Sequence, residues 1–255
     1  MADDPARGSR ILPSGLMSST TPQGGEVPAE GRVTRSGLRT PRAAAIAGIL
    51  FALLLGVAFV LIFISQPADP AKPGAWLSDP SRRDAVAVAL NLVPFAGIAF
   101  LWFIGVVRDR IGQQEDRFFA TVFLGSGLLF VAMLFTGAAF AAGLGSLATA
   151  SPSASNPGTL VVGHDITVLL LRVYGMRMAA VFTMSAATIT LRTKVIAPWI
   201  GFVGIAVAIV LLISIGLTPW VALLFPAWIL LLSVDILWKG FRRPPGATSA
   251  AADAA

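Results

Sequence analysis

The sequence predicts an all-α polytopic membrane protein, a bundle of six transmembrane helices with the N- and C-termini cytoplasmic. Three observations carry that prediction. The first is composition: of 255 residues, 56% are hydrophobic and only 13% are charged, against about 25% charged in a soluble domain. The second is spacing. Apolar stretches recur at about 43–64, 85–107, 118–144, 166–190, 195–215 and 219–238, each near the ~20 residues that cross a bilayer. The third is charge placement. With the N-terminus inside, 14 of the 19 basic residues fall on the inner side, while Lys72, Arg82 and Arg83 fall outside. The excess alternates loop by loop, as the positive-inside rule requires of six crossings.

Residues 1–42 are polar, rich in Pro, Gly, Ser and Thr, and without apolar period. Such a tail buries too little surface to offset its ordering entropy, so it is expected to be disordered. Toward the membrane it turns basic at Arg32, Arg35, Arg39 and Arg42. That cluster fixes orientation and also suits contact with anionic lipid. In the first span Ala44, Gly48, Ala52 and Gly56 share one face, which lets another helix approach closely. The second span holds Asn91 and Pro94. The proline removes a backbone hydrogen bond and frees the carbonyl of Leu90, leaving Asn91 beside a break that could serve as a polar site.

The connection Arg108–Arg117 is short and mixed in charge, a solvated cap. The third span is again rich in Gly, Ala and Ser. Residues 146–163 carry no charge and read as a flexible connection. The fifth span has Pro198 in its first turn, where proline is tolerated. The sixth opens at Pro219, has Pro226 inside, which frees the carbonyl of Ala222, and ends near Asp235. Residues 241–255 form a second disordered tail.

The fourth span, Ile166–Thr190, is the one that holds charge inside it, at Arg172 and Arg177, with Tyr174 between them. A charge at that depth costs about 2.5–3.5 kcal/mol on insertion scales, so it needs a partner, a wet cavity or a route to the surface. Counted from the outer side, Arg172 lies ~9 Å deep and can reach outward, whereas Arg177 lies ~16 Å deep. In an α-helix the two point about 140° apart. Asn91, Asp84, Asp165 and Asp235 are the candidate partners, and Arg177 is expected to meet a polar or acidic neighbour from another helix. Tyr174 is placed to bond or stack with either arginine. Such arginines either fix helix packing or bind an anionic solute or lipid headgroup. Arg172, Arg177, Tyr174, Asn91 and Asp235 are therefore the candidate binding residues.

The chain has no cysteine, which excludes disulfides and thiolate chemistry. The lone His164 lacks the companions a zinc site needs, and no nucleophile motif, HExxH or phosphate loop occurs. No metal, no cofactor and no enzymatic activity are expected. The net charge of +6 flanks the spans, which points to a membrane surface and away from nucleic acid.

Residues 91–127, NLVPFAGIAFLWFIGVVRDRIGQQEDRFFATVFLGSG, resemble a group of multi-pass integral membrane proteins of high-GC actinobacteria that have no assigned activity. The resemblance implies a bacterial inner-membrane location and transfers no functional residue. Two function classes follow from the residues themselves. One is a membrane component that binds or transports a small anionic solute or headgroup. The other is an accessory or scaffold subunit whose small-residue faces dock a partner membrane protein.

Overall fold

A computed structural model describes residues 41–65, 79–111, 117–150, 157–193, 197–213 and 218–242, and these are helical almost throughout. The helices are α1 (Pro41–Ser65), α2 (Pro80–Ile111), α3 (Arg117–Ala150), α4 (Pro157–Val168), α5 (Met176–Thr193), α6 (Pro198–Ile213) and α7 (Leu224–Arg242). A π segment, Leu169–Gly175, joins α4 to α5 as one continuous helix, and a 3₁₀ turn, Pro219–Leu223, leads into α7. Arg32, Arg35 and Arg39, most of both tails and the centre of the Arg108–Arg117 cap lie outside the described residues. Arg42 is described in its backbone alone.

Five of these helices are long and apolar enough to cross a membrane: Ala43–Ser65, Pro80–Arg108, Phe118–Leu147, Gly158–Arg192 and Pro219–Lys239. The bundle's outside matches that reading. Trp102 is 71% exposed, Ile213 69% and Phe202 65%, a surface suited to lipid and not to water.

The helix directions follow from side-chain contacts. Phe51 meets Phe100, while Gly48 lies against Phe103, so α1 and α2 run antiparallel. Gly127 packs on Ile104 and Gly97 on Phe135, which turns α3 back again. Leu144 covers Gly163, Leu171 covers Gly137 and Phe123 meets Phe182, so α4–α5 descends along α3. Along α1 and α7, Gly48 lies against Ser233 and Phe63 meets Trp220. These two helices are antiparallel as well, and Pro41 and Arg242 lie at the same end of the bundle. Hence α6, although only 16 residues long and about 24 Å in extent, must carry the chain between the two ends. It starts beside Leu191, and the chain has reached the opposite end by Trp220.

The core is aromatic. Phe51, Phe100, Phe103, Phe123, Phe130, Phe182 and Phe225 are buried and in ring contact through the centre, edge to face among Phe51, Phe100, Phe130, Phe182 and Phe225, stacked or tilted at Phe103 and Phe123. Rings at these spacings gain from quadrupole complementarity as well as area. The Trp228 indole adds a cross-helix bond, donating from Nε1 to the Ile200 carbonyl at 3.1 Å. Gly204 leaves room for that ring, because a Cβ there would lie 2.7 Å from the indole. Gly48 admits Ser233 and Phe103 in the same way, so this stretch of the small-residue stripe of α1 packs within the chain.

Several expected boundaries move. Residues 146–150 continue α3 and residues 157–163 open α4, where a flexible connection was expected. Serine and glycine argued for a loop, but alanine-rich residues favour helix, and Pro157 suits a first helical position. Pro94 does lie inside α2. Pro226 does not interrupt a helix: the 3₁₀ turn ends at Leu223, so the proline falls in the first turn of α7, where its missing N–H is harmless. At the C-terminal end α7 runs to Arg242, past the expected start of the tail at 241.

Candidate functional site

The arginines sit where α4 gives way to α5. Here the helix widens: a π turn pairs residues five apart instead of four. Gly175 ends the segment, and a Cβ on it would sit 3.1 Å from the Leu170 carbonyl, five residues back. The glycine therefore lets the widened turn close without a clash. Such π segments are frequent at functional sites, and nothing in the apolar periodicity of LLLRVYG announces one.

The widening changes where the arginines point. Arg172 lies inside the π segment and Arg177 just beyond it. With more residues per turn, the ~140° expected between them narrows, so the two open toward one side. Arg172 is exposed, Tyr174 is 49% exposed and Arg177 is half-buried. The residues turned inward on the same helix are Met176, Ala179, Ala180 and Thr183, all buried. The guanidinium groups thus lie on the outside of the bundle.

Depth follows from the length of the helix. The apolar span runs from Gly158 to Arg192, 35 residues, centred on Gly175. Within a ~30 Å hydrocarbon slab centred there, Arg172 lies about 10 Å below the near boundary and Arg177 about 18 Å. Arg177 has passed the middle of the slab, so the opposite boundary is the closer one, about 12 Å away. At its lower end Arg192 lies over the Phe119 ring, 4.5 Å from the centroid, a cation–π contact that anchors that end.

The expected partners are elsewhere. Asn91 is exposed on α2, and its Nδ2 donates to the Ala87 carbonyl of its own helix at 2.8 Å. Asp235 pairs with Lys239 one turn on, at 3.0 Å, an ion pair without hydrogen-bond alignment. Asp84 and Asp165 are exposed on α2 and α4. No hydrogen bond or ion pair among the described residues reaches Arg172 or Arg177. The acidic or polar neighbour expected for Arg177 is therefore not found among them. The five candidate residues fall in three places: the Arg172–Tyr174–Arg177 face, the first half of α2, and the last turns of α7.

Hydroxyl groups in this region are turned inward on their own backbone. Thr183, Ser185, Thr188 and Thr190 each donate to the carbonyl four residues back, at 2.7–2.9 Å. That leaves α5 with no spare hydroxyl donors for a ligand at these positions. Ser233 is different. It is fully buried against Gly48, and its Oγ has no hydrogen-bond partner. Sequence reading also passed over an open apolar groove of about 780 Å³ between α3 and α4, lined by Ala139, Phe140, Gly143, Leu144, Val162 and Ile166. Its one signal was the abundance of small residues on both helices.

No family model matches the chain, no curated protein is significantly similar to it, and no solved structure matches its fold.

Proposed function

We propose that this is a non-enzymatic multi-pass protein of the bacterial inner membrane. In this reading it crosses six times, with both ends cytoplasmic, and holds an anionic group at the face carrying Arg172, Tyr174 and Arg177. One observation carries the reading: two guanidinium groups sit near mid-depth of an apolar helix, on the outside of the bundle, unpaired among the described residues. An intramembrane charge retained at such a cost marks a functional position.

The seven phenylalanines that fill the centre support binding at the periphery over passage of a solute between the helices. A lipid headgroup suits Arg172, whose side chain can extend toward the near boundary. Six crossings accord with the antiparallel pairing of α1 and α7, and cytoplasmic ends accord with the basic excess on that side.

The test is native mass spectrometry of the detergent-released protein with added phosphatidylglycerol or phosphatidylcholine. The anionic lipid should be retained in preference, and Arg172→Gln should reduce that preference several-fold. Equal retention of the two lipids would refute headgroup binding. A second reading, an accessory subunit that docks another membrane protein, is favoured by Arg177, which lies too deep for a headgroup.

A further inference from the structure

We propose that the Arg177 face of α5 docks a transmembrane helix of another protein, one that carries a carboxylate near the middle of the bilayer. This rests on the membrane reading above but not on lipid at Arg172. Arg177 has no hydrogen bond or ion pair among the described residues, and its nitrogens are not among the buried polar atoms left unpartnered. They therefore reach the outside of the bundle. At about 18 Å from the near boundary and about 12 Å from the far one, the guanidinium falls short of a phosphate on either side, since the side chain extends only ~6–7 Å and leans back toward the N-terminus of its helix. What remains in hydrocarbon at that depth is an acidic or strongly polar group on another transmembrane segment.

The surroundings fit a helix. Val173 and Tyr174 lie one turn before Arg177, while Val181 and Met184 lie one and two turns after. All are half-buried or exposed, and together they make an apolar stripe at the spacing one helix presents to another. Among the carboxylates with described side chains, a second copy of this chain offers none that is both free and level with Arg177. Asp235 is already paired with Lys239. Asp165 sits twelve residues up the same helix, about 18 Å from the level of Arg177, and a copy in the same membrane orientation keeps that offset. Asp84 lies near the start of α2, farther still along the bundle.

The experiment uses full-length protein in phosphatidylcholine vesicles and a leucine-rich transmembrane peptide with one central Glu, beside its Gln twin. The chain has no cysteine, so a single Ser153→Cys carries the donor dye and energy transfer reports binding. The Glu peptide should bind roughly tenfold more tightly than the Gln peptide. Arg177→Gln should make the two equal, Arg177→Lys should keep the preference, and Arg172→Gln should leave most of it. Equal binding to the native chain, or a preference that survives Arg177→Gln, overturns the proposal. So does a preference abolished by one third phosphatidylglycerol, which would mean that a headgroup occupies Arg177. With no anionic lipid in the first vesicles, a failure here is independent of any failure of headgroup retention at Arg172.

Discussion

Phe100 is the side chain whose removal the bundle should tolerate least. It is fully buried, and its ring lies 4.4 Å from Phe51, 4.9 Å from Phe182, 5.5 Å from Phe130, 5.8 Å from Phe225 and 6.3 Å from Phe103. One residue of α2 thus joins α1, α3, α5 and α7. In lipid the transfer of apolar surface contributes little, because acyl chains are as apolar as the core. The cost of Phe100→Ala comes from the void and the lost ring contacts. A void of about 100 Å³ at ~24 cal/mol per Å³ gives about 2.4 kcal/mol. Loss of the two closest ring pairs adds ~1–2 kcal/mol. The total, about 3–4 kcal/mol, falls within the range for buried Phe→Ala changes. Equilibrium unfolding in mixed dodecyl maltoside and dodecyl sulfate micelles, followed by tryptophan fluorescence, would measure it. The control is Phe95→Ala on the same helix, where the ring is 64% exposed and the change should be within about 0.5 kcal/mol. If Phe100→Ala cost no more than Phe95→Ala, the aromatic centre would not be what holds the helices together.

Trp228→Phe keeps most of the ring and removes the donor to the Ile200 carbonyl. It should cost about 1–2 kcal/mol in the same unfolding assay, and a neutral result would mean the bond contributes nothing. Single cysteines at Ser78 and Ser153 should react with an impermeant maleimide on intact cells and one at Gln113 should not; labelling at Gln113 would reverse or break the topology. At the start of α2, Asp79 accepts from the Ser81 hydroxyl at 2.7 Å and the Ser81 amide at 3.0 Å, and pairs with Arg82 at 3.3 Å. The Ser81 hydroxyl is the main cause that holds its carboxyl below the ordinary 3.8. The cap is thus complete above pH 3.8 and is lost as pH falls through the lower folded value. A carbon-detected titration of Asp79 should show that depression, and Ser81→Ala should raise the midpoint.

Much of the fold is visible along the chain because lipid imposes a simple requirement: each crossing needs a long apolar run, and its flanking charges must sort. The runs near α1, α2, α3, α5 and α7 are found on that basis alone. Ends were less legible. The 146–163 stretch looked like a loop by its serines and prolines, yet helix covers 146–150 and 157–163, since alanine and glycine next to a buried interface can be recruited by packing. The candidate site was half legible. A charged pair in an apolar run can be seen without a structure, but its direction depends on the turn that carries it.

By itself the sequence determined the all-helical class, the number of apolar runs, the sorting of charge and the presence of two guanidinium groups at depth. Each is a property of composition and order along one dimension. Only the tertiary structure decided that the arginines face outward and that Asp235 is taken by Lys239. It also decided that the centre is closed by rings and that a 16-residue α6 joins the two ends of the bundle. Those depend on which helix lies beside which, and on a π turn that shifts every later residue around the axis. Neighbouring faces and accumulated rotation are three-dimensional quantities, which apolar periodicity does not encode.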